Sequence, residues 1–162
     1  MHIAYLLLGS NIEPRADYLK NALDKLAARL HIQKCSQVYE TAAWGMKEGT
    51  AAFLNMVTEV GTDMEPIELL AYCIECEKEL GRVRTTEIIS RTIDIDVLLY
   101  DSEILHSENL VIPHPRLQLR RFTLIPLAEI APDIIHPVLH KSMKKLLEEC
   151  EDGSEVILYE KF

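Results

Sequence analysis

The sequence has 162 residues, of which 48% are hydrophobic and 27% charged, and its formal net charge is −9 at pH 7. This size and composition predict a single globular domain, residues 1–162, large enough to bury a core. The negative charge argues against nucleic-acid or anionic-membrane partners, whose phosphates the chain would repel.

Apolar periodicity predicts alternating strands and helices through the first hundred residues. The predicted strands cover residues 2–9, 31–39, 53–60 and 91–100. An amphipathic helix of roughly 16 residues follows Pro14, and a second helix spans about 65–80 and ends at Gly81. The resulting order, βαββαβ, is that of an α+β, ferredoxin-like core.

Beyond this core the sequence predicts shorter elements. Residues 112–115 form an extended turn, and the helical pieces and final strand are expected at 117–119, 122–130, 141–149 and 156–159. The loop at 40–50 is longer than most connections, which favours a functional role.

The sequence shows no export signal, and its cysteines do not indicate a disulfide framework. The sequence has no run of about 18 apolar residues and no signal-peptide pattern, so we expect a cytoplasmic protein. Cys73-x-x-Cys76 and His136-x-x-x-His140 have zinc-like spacing but lie far apart in the chain. Because both cysteines fall on the apolar face of the second predicted helix, we favour buried thiols over a structural zinc site.

Asp94 and Asp96 form an unusual pair in the fourth predicted strand. Residues two apart in a strand share a face, so the two carboxylates lie roughly 6.6 Å apart. The pattern places Leu98 and Tyr100 on the same face. Two half-buried carboxylates repel each other and lose hydration, so they need a cation. The alternative is an exposed edge strand, where acidic residues discourage aggregation.

Arginines are concentrated in one window of the chain. Residues 82–121 contain no lysine but six of the eight arginines, namely Arg82, Arg84, Arg91, Arg116, Arg120 and Arg121. Arginine suits phosphate oxygens, so the cluster favours polyphosphate recognition over scattered surface ion pairs. His114 lies in the same window, between two prolines that restrict its backbone. The sequence has no P-loop motif, so side chains and metal would have to hold any nucleotide.

Two carboxylates beside several arginines fit metal-assisted phosphoryl transfer. Mg²⁺ takes few protein carboxylates and completes its shell with water and substrate phosphates. A pair of ions about 3.5–4 Å apart could be bridged by Asp94 and Asp96. The protein would then mainly position the substrates and neutralise charge.

With these residues in view, the chain closely resembles the 6-hydroxymethyl-7,8-dihydropterin pyrophosphokinases of folate biosynthesis. The resemblance covers nearly the whole chain and depends on an ordered set of short motifs. These are Gly9-Ser10-Asn11, Tyr39-Glu40-Thr41, Phe53-Leu54-Asn55, Gly81-Arg82-Val83-Arg84, the residues 91–96, Pro113-His114-Pro115-Arg116, Arg120-Arg121-Phe122 and the residues 126–132.

The resemblance implies an activity and a set of site residues. The family transfers the β,γ-pyrophosphoryl group of ATP to the hydroxymethyl oxygen of the reduced pterin and releases AMP. The implied catalytic residues are Arg82, Arg91, Asp94 and Asp96, of which the two aspartates would hold two Mg²⁺ ions. The implied ATP-binding residues are Glu77, Arg84, His114, Arg116 and Arg120. The implied pterin-binding residues are Thr41, Ala42, Ala43, Trp44, Phe53, Asn55 and Phe122.

One segment departs from the family pattern. Between Arg84 and Arg91 the family usually carries a further arginine and an aromatic residue, whereas this chain has Thr-Thr-Glu-Ile-Ile-Ser. We expect the chemistry to survive with a weaker hold on the pterin. Two alternatives stay open at this point: a degenerate pyrophosphokinase that binds nucleotide without turnover, and a ferredoxin-like regulatory domain that binds a small ligand.

Overall fold

The computed structural model describes residues 1–42, 51–82 and 92–162. The strands in these ranges are β1 (His2–Ser10), β2 (His31–Cys35), β3 (Tyr39–Thr41), β4 (Phe53–Thr62), β5 (Asp94–Tyr100), β6 (Leu105–His106), β7 (Val111–Ile112) and β8 (Val156–Leu158). The α-helices are α1 (Arg15–Ala27), α2 (Pro66–Glu79), α3 (Arg121–Ile130) and α4 (Met143–Glu149). The predicted mixture of helices and sheet is confirmed.

The central sheet is antiparallel throughout. Its strands lie in the order β5-β1-β4-β3-β8, and β2 also pairs with β4. Strand β1 therefore lies between β4 and β5 for most of its length. Its continuous apolar run is explained by this position, since a strand covered on both faces needs no polar alternation.

Helices cover both faces of the sheet. On one face, α1 and α2 pack through Leu19, Leu26, Leu69 and Cys73 against strand residues that include Leu6 and Leu8. On the other face, α3 and α4 pack through Leu124, Leu127, Met143 and Leu146 against Tyr5, Leu7, Val57 and Leu98. We call these the α1/α2 layer and the α3/α4 layer. The second layer comes from the C-terminal third of the chain, outside the predicted βαββαβ core.

The prediction of one continuous strand over 31–39 is wrong. The structure has two strands, β2 and β3, which pair with opposite ends of β4. Ser36 marks the break: its hydroxyl accepts from the Val57 N–H and its own N–H donates to the Val57 carbonyl, both at 2.9 Å. Because β3 extends to Thr41, the first two residues of the predicted 40–50 loop belong to the sheet.

A β-bulge changes the face of the sheet on which the last side chains of β5 lie. Tyr5 pairs with Leu99, but the next residue of β1, Leu6, pairs with Val97. Leu98 stays on the face of Asp94 and Asp96, as predicted, whereas Tyr100 turns into the α1/α2 layer. The prediction for Tyr100 is therefore wrong, because a bulge reverses the alternation of side chains.

The remaining elements lie close to their predicted positions. Gly81 follows α2 with φ +88°, a left-handed conformation that favours glycine after a helix. A 3₁₀ turn at Leu117–Leu119 leads into α3. The short β6–β7 hairpin was not predicted. In the described ranges, no helix has the length and apolar character that crossing a membrane would require.

We expect the centre of the sheet to dominate stability. Leu8 of β1 is fully buried, so Leu8→Ala should lower the free energy of unfolding by about 3 kcal/mol through lost contacts and an internal cavity. Leu119→Ala, at a position 54% exposed, is the matched control and should change it by less than about 0.5 kcal/mol. Urea unfolding measures both, and equal effects would contradict this description of the core.

Candidate active site

The register of three strands brings the two halves of the predicted site together. The Cα of Gly9 in β1 pairs with that of Asn55 in β4 and with that of Asp94 in β5. Neighbouring strands lie about 4.8 Å apart, so the backbones of Asp94 and Asn55 are roughly 10 Å apart across Gly9. All three face the α3/α4 layer. Asp94, a candidate for the phosphate side of the site, and Asn55, a candidate for the pterin side, therefore share one surface.

The acidic end of this surface is organised by Arg82. Its Nη1 donates to the carboxylate of Asp94 at 2.5 Å and to that of Glu77 at 2.9 Å. Glu77 is 1% exposed and also accepts from the N–H of Ile95 at 2.7 Å. Glu77 thus joins α2 to the start of β5 and holds the arginine beside the aspartate.

Asp96 lies in a strongly negative environment. Burial is the main factor that raises the pKa of Asp96, and the neighbouring Asp94 carboxylate raises it further. Arg120 and Arg82 oppose this effect without cancelling it. A partly buried carboxylate with an excess of nearby negative charge is stabilised by a cation. The donor set at Asp94 and Asp96 therefore fits a divalent metal.

The metal would have to take much of its coordination from the substrate. Within residues 1–42, 51–82 and 92–162, no group of three or more His, Cys, Asp or Glu side chains is arranged to hold an ion. Mg²⁺ often uses only one or two carboxylates and completes its octahedron with water and phosphate oxygens. A two-carboxylate site of this kind suits Mg²⁺ bound together with a polyphosphate.

His114 and two arginines complete the phosphate side. Burial, together with the positive charges of Arg120 and Arg116, lowers the pKa of His114 to about 4, so the imidazole is neutral at neutral pH. Its Nδ1 accepts from the Arg116 N–H at 3.1 Å, which leaves the proton on Nε2 as a donor. The backbone N–H of His114 donates to Leu98 of β5 at 2.9 Å, which fixes this turn beside the aspartates.

The pterin-side candidates combine an amide with aromatic rings. Asn55 is buried, and its Nδ2 donates to the Thr41 hydroxyl at 3.2 Å. Phe53 lies two residues earlier on the same face of β4 and is partly exposed. Phe122, at the start of α3, is also partly exposed and lies 5.5 Å from the Arg120 guanidinium. Ala42 is exposed at the end of β3.

Four predicted site residues lie outside the described ranges. Ala43 and Trp44 belong to residues 43–50, and Arg84 and Arg91 belong to residues 83–91. Their assigned roles stay predictions. The atypical segment between Arg84 and Arg91 lies outside the described residues too.

Long-range contacts that the sequence does not signal hold β3 in place. Arg15 donates from Nη1 to the Glu40 carboxylate at 2.5 Å and to the Ala52 carbonyl at 3.2 Å, so it links the ends of β3 and β4. Glu129 of α3 accepts from the Gln37 N–H at 2.9 Å and from the Tyr39 hydroxyl at 2.6 Å. These pairs are 25 to 92 residues apart in sequence, and no local spacing signals them.

The two zinc-like motifs lie in different surroundings. Cys73 and Cys76 are buried in the α1/α2 layer, where burial raises the pKa of the Cys73 thiol. His136 uses Nδ1 to accept from the N–H groups of Val138 and Leu139 at 3.2 and 3.0 Å. Its role in the described fold is to stabilise a turn.

Comparison with known proteins identifies the family. The sequence profile of 7,8-dihydro-6-hydroxymethylpterin-pyrophosphokinase matches residues 5–132. The chain is 43% identical over 149 residues to the 2-amino-4-hydroxy-6-hydroxymethyldihydropteridine pyrophosphokinase of Aquifex aeolicus, covering 92% of each chain. It is 44% identical over 135 residues to the protein of that name from Bacillus subtilis, covering 82% of this chain and 80% of the relative.

Solved structures share the fold. The HPPK-DHPS of Plasmodium falciparum, solved as the wild type with STZ-DHP, superposes with a TM-score of 0.76 at 17% identity over 91% of this chain. This chain spans 43% of that longer protein. The profile match and the two bacterial relatives cover most of the chain, and the chain therefore belongs to the 7,8-dihydro-6-hydroxymethylpterin pyrophosphokinase family.

Proposed function

We propose that this protein transfers the pyrophosphoryl group of ATP to 6-hydroxymethyl-7,8-dihydropterin in folate biosynthesis, giving the pterin diphosphate and AMP. The observation that carries the proposal is the register Asp94–Gly9–Asn55, which places an acid-and-arginine site beside an amide-and-aromatic site. In the reaction a bond forms between the hydroxymethyl oxygen and the β-phosphorus, and the bond from that phosphorus to the oxygen that AMP keeps breaks. The hydroxyl proton is released to water. Family membership does not favour the two alternatives without turnover.

The triphosphate would lie over β5, between Asp94 and Asp96 on one side and His114, Arg116 and Arg120 on the other. These three residues supply two guanidinium groups and one neutral N–H donor, which suit the oxygens of a polyphosphate. Asp94 and Asp96 would hold two Mg²⁺ ions, since their shared negative charge favours cations. When bound, the ions would neutralise charge on the attacking and leaving oxygens.

Arg82 would stabilise charge on the transferring group. Its contacts with Glu77, Asp94 and the Ile93 carbonyl in the described residues all involve Nη1. The guanidinium has further N–H donors on Nη2 and Nε, so it can bind a phosphate oxygen while Glu77 still holds it. The buried Glu77 would therefore act as a positioning residue for Arg82. This role would add to the nucleotide contact that the family resemblance implies for Glu77.

The pterin would occupy the other end of the surface, over β1 and β4. Asn55 offers a donor and an acceptor to the polar edge of a flat heterocycle, and Phe122 and Phe53 offer aromatic faces. Thr41 holds the Asn55 amide, and Ala42 lies at the exposed end of the same strand. In this arrangement the hydroxymethyl group would point towards Asp94 and Asp96.

We also infer the fold class and the cellular location of the protein. We regard the chain as one domain with a ferredoxin-like core, because β5, β1, β4 and β3 are adjacent and antiparallel in that order. The α3/α4 layer and β8 are additions to this core. Arg120 directly precedes α3 and Phe122 lies within it, whereas β8 pairs with β3. We place the protein in the cytoplasm, which supplies ATP.

Product formation tests the proposed function directly. The full chain incubated with ATP, Mg²⁺ and 6-hydroxymethyl-7,8-dihydropterin should form AMP and the pterin diphosphate in equal amounts, measured by chromatography. Chelation of Mg²⁺ with EDTA should stop the reaction and excess Mg²⁺ should restore it. ATP binding without AMP formation would instead establish the nucleotide-binding protein without turnover.

Asp96→Asn tests the metal site. It keeps the side-chain shape but removes one charge, so we expect kcat to fall at least about 100-fold, which corresponds to about 3 kcal/mol. In metal-free buffer the melting temperature should not fall, because the substitution removes repulsion with Asp94. Asp63→Asn, at a side chain 93% exposed, is the matched control and should keep full activity. A kcat within twofold of the parent in the Asp96 variant would exclude the assigned role.

A further inference from the structure

Gly9 has no room for a side chain on the face where the two substrates would meet. An ideal Cβ built on it would lie 2.6 Å from Oδ1 of Asn55, 3.7 Å from Cγ of the same residue and 3.5 Å from a ring carbon of Phe53. The first distance is shorter than real Cβ contacts allow. The Asn55 amide therefore lies across β1 in space that only a glycine leaves open.

Backbone conformation does not explain this glycine. Among the described glycines only Gly81 has a positive φ. Gly9 lies inside the paired part of β1, with regular partners on both sides. Alanine could adopt this strand conformation and would lose less conformational entropy on folding than glycine does. The lack of space for a Cβ, rather than the backbone conformation, therefore explains a glycine at position 9.

Asn55 cannot move aside without losing its present hydrogen bond. It is 4% exposed, its side chain is short, and its Nδ2 donates to Thr41 at 3.2 Å. Exchanging the amide oxygen and nitrogen by a half-turn would not relieve the clash, because the two atoms are nearly equal in size. A side chain at position 9 would have to turn the amide out of its plane and away from Thr41.

We propose that Gly9 is a positioning residue that sets pterin specificity by fixing the orientation of the Asn55 amide. This inference rests on the proposed function and extends it to Gly9. This residue adjoins Asn55, the proposed pterin ligand, and carries no reacting group. An amide in the wrong plane presents its donor and acceptor to the wrong atoms of the heterocycle, so pterin binding suffers first. The phosphate side is built from other residues and should be unaffected.

Four variants test the inference: Gly9→Ala, Asn55→Ala, the double variant Gly9→Ala/Asn55→Ala, and Gly61→Ala as the matched control. Gly61 also lies in the β1–β4 ladder, where it pairs with Ile3, but an added Cβ would meet only the flexible ends of Met1 and Gln33. The KM values for pterin and ATP are measured from AMP release, and melting temperatures report on the fold.

We expect Gly9→Ala to raise the KM for the pterin about tenfold or more, as the loss of a well-placed polar contact does. Its KM for ATP should stay within about twofold of the parent value, and its melting temperature within about 5 °C. The same limits should hold for Gly61→Ala. The double variant should bind pterin no worse than Asn55→Ala, because removal of the amide also removes the clash.

The remaining outcomes separate this inference from the proposed function. A raised pterin KM in Asn55→Ala with no change in Gly9→Ala would overturn the inference and leave the pterin site intact. Additive losses in the double variant, or equal losses of pterin and ATP affinity in Gly9→Ala, would also overturn it. If neither single variant alters the pterin KM, the assignment of Asn55 to the pterin site is wrong and the inference falls with it.

Discussion

The pairing of β1 with both of its neighbours is the constraint on which the site depends. Side chains alternate between the two faces of a strand, so a slip of one residue would move every side chain to the other face. The correct register leaves Asp94 and Asn55 on the face of the α3/α4 layer, with Gly9 between them. The bulge opposite Tyr5 and Leu6 lets the later part of β5 fill both layers without disturbing this register. Regular backbone pairing therefore positions the polar side chains.

The electrostatics of the site oppose the stability of the metal-free protein. Asp94 and Asp96 share a partly buried face, and burial with mutual repulsion raises the pKa of Asp96. Arg82, held by the buried Glu77, compensates part of this charge from one side. Proteins commonly accept such local cost where function requires it. In the proposed function, the bound metal ions would supply the positive charge that Arg82 and Arg120 provide only in part.

Local signals in the sequence predicted most elements but not the contacts between them. Periodicity identified β1, β4, both long helices and the facing of Asp94 and Asp96, since these depend on a single repeating pattern. The break at Ser36 and the reversal at Tyr100 could not be predicted, because a hydrogen bond to Val57 and a bulge against β1 determine them. The resemblance to the family supplied Asn55 and Phe122 as candidates. The contact between Gly9 and Asn55 needed the strand register, which no motif encodes.

The division into two layers has a consequence for how this protein can be altered. Phe122 reaches the site from the α3/α4 side of the sheet, and Arg120 directly precedes α3. Of the described candidates, Glu77 lies in α2 of the opposite layer and Arg82 follows that helix directly. Sequence drift or redesign could therefore exchange side chains of similar volume between α1 and the sheet while the reacting groups keep their positions. Changes in α3 have less latitude, because this short helix packs in a core and also carries Phe122, a proposed pterin contact. Robustness to mutation should accordingly be distributed unevenly across the two faces of one sheet.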